Sequence, residues 1–136
     1  ARLEALPRFI AICLLGGYLW LAFAGALGLA GAFEAGHPLR DSALHALGLG
    51  FVFAMVFGHA PIIFPAVARV RIPYHPAFYT PLALLHASLF LRIAGGLNGD
   101  FALRREGGLF NAIALLSFIA SMLISVMRGR RAQIER

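Results

Sequence analysis

The chain has 136 residues, 60% of them hydrophobic and only 13% charged, about half the charged share of an average soluble domain. A mean hydropathy of +0.81 excludes an ordinary soluble domain and a disordered chain, and the single Cys13 excludes a disulfide scaffold. All twelve basic residues are arginines, and they leave a net charge of +6. In a soluble domain that charge would point to nucleic acid. Here the arginines flank apolar runs, where they mark membrane boundaries, and no nucleic-acid partner is expected.

The first apolar run, residues 9–33, has no charge in 25 positions. It is longer than the core of a cleavable signal and reads as a spanning helix, with Pro7 in its first turn. Gly16, Gly17, Gly25, Gly28 and Gly31 let a neighbouring helix approach closely in lipid. Cys13 is expected to pack as a small apolar residue.

A short loop, 34–40, precedes Asp41 and Ser42, either of which is a good N-cap. The second run, 43–68, carries no charge but contains His45, His59, Pro61 and Pro65. Two registers compete. The helix could stop near His59, after about the minimum span. The alternative is one helix over 42–68, kinked near Pro61, with the Phe57 carbonyl freed because Pro61 has no N–H. The longer register gives Ile62, Ile63, Phe64 and Val67 an apolar home, and membrane helices tolerate proline.

After a loop at 69–76 the third helix is expected over 77–97, with Arg92 snorkelling to the headgroups. The loop 98–108 contains Asp100, Arg104, Arg105 and Glu106. The fourth helix is expected over 109–127, followed by an arginine-rich tail. The fold class is therefore all-α, a single domain over 1–136 built as a four-helix transmembrane bundle in the lipid bilayer. Eight arginines (2, 8, 69, 71, 128, 130, 131, 136) fall on one side and four (40, 92, 104, 105) on the other. That asymmetry predicts cytoplasmic termini in a bacterial inner membrane.

Three of five histidines, His45, His59 and His86, lie inside apolar segments, where an ionisable group is a functional-site candidate by default. His37 and His75 sit in polar loops beside prolines and read as interfacial. His45 and His59 are 14 residues apart. At about 100° per residue they share a helix face, separated by roughly 21 Å. If the second helix ends at Ala68 and the third begins at Ala77, His59 and His86 are each nine residues from the same end. They would then meet at equal depth and clamp one haem iron or hold one metal ion. Gly48, Gly50 and Gly58 give clearance for a flat macrocycle, and Phe51, Phe53, Phe57 and Phe64 could wall it. A buried histidine can also simply hydrogen-bond across helices.

The segments LHALGLGFVFAMVFGHAPIIFPAV (44–67) and YHPAFYTPLALLHASLFLRIAG (74–95) resemble part of the NnrS-type membrane proteins. Those are larger haem- and copper-containing proteins tied to the nitric oxide response. The shared positions are His45, Ala46, Leu47, Met55, Gly58 and His59. A small membrane subunit associated with nitric oxide reductase is a second resemblance. The NnrS-type resemblance implies haem or copper ligated by His45 and His59, and haem b is the expected cofactor. The expected role is respiratory electron transfer or nitric-oxide-related redox chemistry. The alternative is an accessory subunit without its own cofactor, packed against a larger respiratory complex; the expected partners are other membrane subunits of a respiratory complex or further copies in a homo-oligomer.

Overall fold

A computed structural model of the chain describes residues 2–69 and 74–134. They form α1 (Arg2–Leu29), α2 (Arg40–His45), a π-helical stretch (Ala46–Val52), α3 (Phe53–Ala68), one 3-10 turn (Pro76–Phe78), α4 (Tyr79–Leu97) and α5 (Phe101–Ile134). Four spans are long and apolar enough to cross a membrane: Ala5–Leu29, Arg40–Val67, Pro76–Leu97 and Phe101–Arg131. The protein is an all-helical, four-span membrane bundle.

The limits of the spans differ from the sequence expectation for local reasons. The first helix ends at Leu29, not residue 33. Gly31 takes a left-handed φ of 80°, the Ala32 N–H reaches back to Leu27 O, and the Gly31 N–H bonds Gly28 O. This is a Schellman ending, which glycine makes without steric cost. The fourth helix starts eight residues before 109 and continues past 127, to Ile134. Asp100 caps it through its side chain on the Leu103 N–H, 3.0 Å away. The charges of Arg104, Arg105 and Glu106 end the apolar run but are good helix formers, so they do not end the helix.

The second span runs from α2 through the π-helical stretch into α3, which carries Pro61 and Pro65 inside it. It stops at Arg69, whose φ of 52° is left-handed. Residues 70–73 and 135–136, including Arg71 and Arg136, lie outside the described residues.

α4 packs along α5, and α1 packs along the π stretch and α3. Both seams rely on close backbone approach. A Cβ at Gly107 would lie 2.5 Å from the Arg92 backbone N, and one at Gly58 would lie 3.0 Å from the Cys13 Cβ. Lipid supplies no hydrophobic drive between helices, so such contact is what holds a bundle together. The main core joins all four spans: Phe9 and Cys13, Phe57 and Ala60, Leu82 and Leu85, Ala114, Phe118 and Met122. Phe57 stacks on Phe118 at 3.7 Å between centroids and 9° between planes, a contact of about 0.5–1.5 kcal/mol. A smaller cluster of Ala24, Ala46, Leu89 and Ile93 lies toward the end where α1 joins α2 and α4 joins α5, the loop end. The chain's two ends and the α3–α4 connection share the opposite, terminal end.

Candidate functional site

His86 projects from α4 onto α1. Its Nδ1 accepts a hydrogen bond from Trp20 Nε1–H at 2.9 Å, so the proton of the neutral ring sits on Nε2. Nε2 is buried without a hydrogen-bond partner. It rests on Gly16, where an added Cβ would lie 2.9 Å away. Both ring nitrogens are therefore covered, one by an indole and one by backbone.

His59 is exposed on the outward face of α3. Its Nδ1 lies 2.7 Å from the Met55 carbonyl oxygen. An oxygen acceptor requires Nδ1–H to donate, which leaves Nε2 with its lone pair. The ring borders a shallow groove of about 380 Å³ lined by Met55, Val56, Ala60, Ile63 and Phe64.

The expected meeting of His59 and His86 does not occur. Gly58 faces Cys13, which sets His59 level with about residue 12 of α1, whereas His86 is level with Gly16. Four residues amount to roughly 6 Å of axial offset, and the two rings face different ways. The 3-10 turn at Pro76–Phe78 lengthens the start of the third span by only about 1.5 Å, a small part of that offset.

His45 and His59 do not share a face either. The π-helical stretch between them uses i→i+5 bonds, which absorb about one extra residue and rotate α3 relative to α2 by about 100°. His45 is half-buried. Its Nδ1 bonds the Asp41 carbonyl at 2.8 Å and lies 3.4 Å from Asp41 Oδ1. Arg92 Nη2 reaches the same Oδ1 at 3.0 Å, and Arg92 Nη1 donates to Arg104 O at 3.4 Å. Arg92 thus joins α4 to α2 and α5 and does not snorkel freely. Asp41, expected as an N-cap, is an ion-pair partner instead; Leu39 holds the N-cap position with no side-chain bond.

His37 Nδ1 accepts from the Leu39 N–H and His75 Nδ1 from the Ala77 N–H, both at 3.1 Å, so each organises its own turn. A further polar tie, Ser88 Oγ–H to Asn111 Oδ1 at 2.7 Å, joins α4 to α5. Sequence reasoning did not mark Trp20, Asp41, Arg92 and Asn111 as ties between helices. Their signal was present: polar or ionisable groups near or within apolar spans, one on each helix. Among the described residues no group of three or more His, Cys, Asp or Glu could hold a metal ion. No solved structure matches the chain. A family model described as a domain of unknown function, DUF8744, matches residues 1–127, and the chain belongs to that family.

Proposed function

We propose that the protein is a membrane subunit that binds b-type haem, or a metal ion such as copper, through His59 Nε2. The supporting observation is the 2.7 Å bond from His59 Nδ1 to Met55 O. Metal-ligating histidines characteristically donate the other ring N–H to a carbonyl, which fixes tautomer and orientation and raises ligand basicity. A histidine facing hydrocarbon is costly unless something uses it, and the groove beside His59 is apolar, as a macrocycle requires. The opposite ligand comes from outside the chain, either a second copy or a neighbouring subunit. His45 has the same tautomer, but its carboxylate and arginine neighbours suit a structural role or a second metal position. The redox role, respiratory electron transfer or nitric-oxide-related chemistry in a bacterial inner membrane, rests on the resemblance of residues 44–67 and 74–95 to NnrS-type proteins. The Trp20–His86, Ser88–Asn111 and Arg92–Asp41 ties favour a second reading, a purely structural accessory subunit, because each uses its polar groups to join helices. A visible spectrum and metal analysis of the purified membrane protein separate the two. Soret and reduced α bands, or stoichiometric copper, support the first; neither signal, with a co-purifying partner subunit, supports the second.

A further inference from the structure

The two ends of the bundle differ sharply in charge. The loop end is balanced: Arg40, Arg92, Arg104 and Arg105 against Glu34, Asp41, Asp100 and Glu106. The opposite, terminal end is basic: its described residues include Arg2, Arg8, Arg69, Arg128, Arg130 and Arg131 against Glu4. Five of those arginines have described, exposed side chains: Arg8 on α1, Arg69 after α3, and Arg128, Arg130 and Arg131 on α5. None forms an ion pair among the described residues.

Arg69, Arg128, Arg130 and Arg131 lie near one level, because Phe57 stacks on Phe118 and so sets Arg69 beside Arg130, while the Gly58–Cys13 contact sets Arg8 roughly 9 Å nearer the apolar layer. Residues 109–127 of α5 are uncharged and cover roughly 28 Å, close to the hydrocarbon thickness of about 30 Å. Arg128 therefore begins where the apolar layer ends. Arg8 and Arg69 flank the apolar parts of α1 and α3. An aromatic cluster marks that boundary independently. Phe9 meets Tyr79 edge-on at 5.1 Å, Phe78 at 6.1 Å and Tyr74 at 6.3 Å; Phe9 and Phe78 are buried in the core, and the half-buried Tyr74 and Tyr79 are the rings that suit headgroup depth. Arg8 directly precedes Phe9 in the chain, and burial pushes the Tyr74 hydroxyl pKa up, with the Tyr79 hydroxyl adding to that and the Arg8 charge opposing it. On α5, Arg128 and Arg131 are three residues apart and share a side, while Arg130 points to another. The helix thus offers guanidinium groups around its circumference, and guanidinium forks match phosphate oxygens.

We propose that the terminal end is a docking surface for anionic phospholipid headgroups, with Arg69, Arg128, Arg130 and Arg131 engaging lipid phosphates and Arg8 reaching out to them from beside the aromatic cluster. The charge asymmetry then acts as an anchor that fixes bundle depth as well as orientation.

The full chain is reconstituted into phosphatidylcholine bilayers with and without one third phosphatidylglycerol, and annular lipid composition and thermal unfolding are measured. The ratio of phosphatidylglycerol to phosphatidylcholine around the protein is expected to exceed the bulk ratio about fivefold; phosphatidylglycerol should also raise the unfolding temperature, and both effects should be lost in high salt. The R128Q/R130Q/R131Q variant should lose most of the enrichment, while R104Q/R105Q at the loop end should keep it. Equal behaviour in the two bilayers would overturn the proposal. So would full enrichment in the triple variant, or the same stabilisation from inorganic phosphate in phosphatidylcholine alone. If the triple variant does not fold, the salt titration of the unaltered chain still decides: enrichment that persists in high salt is not electrostatic docking.

Discussion

His59 and His86 are the same residue type, on neighbouring spans, yet the fold uses them in opposite ways. His86 has both nitrogens covered, Nδ1 by the Trp20 N–H and Nε2 by Gly16. His59 has one nitrogen tied to its own helix and the other directed outward. A histidine at membrane depth is therefore identified as tie or ligand by the partners of its two nitrogens, and depth alone does not distinguish them.

The comparison breaks most visibly through stability. His86→Ala leaves the Trp20 indole N–H buried without an acceptor and opens space beside Gly16. Thermal or denaturant unfolding in detergent should show a loss of about 1–3 kcal/mol, with a further contribution from the cavity. Gly16→Val should reproduce much of that loss from the other side, because its Cβ would press on Nε2. A wild-type melting curve for His86→Ala would remove the tie from the account.

Asp41→Asn should cost less, about 1 kcal/mol. The Asp41–Arg92 pair is partly exposed, with side chains at 35% and 19%, so solvent screens it. A double-mutant cycle of Asp41→Asn with Arg92→Gln measures the coupling; zero coupling would mean that the pair does not join α2 to α4. Ser88→Ala should cost still less, about 0.6 kcal/mol, the usual size of a hydrogen bond between membrane helices. Measured on cofactor-free protein, His59→Ala should be the mildest of all, within about 0.5 kcal/mol, since it removes a side chain that touches no other helix through a polar bond.

The bundle was legible in the sequence because spanning runs announce themselves by length and lack of charge. The candidate site was legible only as residue types. The expected site assumed uniform α-helix. The π-helical stretch at Ala46–Val52 rotates His45 away from His59, and the 3-10 turn at Pro76–Phe78 adds a small part of the axial offset between His59 and His86. Neither departure alters hydropathy. Gly48 and Gly50 weaken the helix there, but glycine has many uses in a membrane span. The Trp20–His86 bond joins residues 66 positions apart, and no periodicity within one helix can reveal it. Arg92 and Asp41 were each visible as charges at helix ends, and each had a sufficient local explanation that hid their partnership.

The central claim is that His59, and not His86, offers the ligand nitrogen. The most direct measurement is haem and metal content per folded protein for the unaltered chain, His59→Ala and His86→Ala, purified identically and matched by the helical circular dichroism signal. The account predicts that the cofactor is lost from His59→Ala, whose cofactor-free stability is unchanged, and retained per folded molecule in the less stable His86→Ala. A full complement of cofactor in His59→Ala, or no cofactor in the unaltered chain, would contradict it.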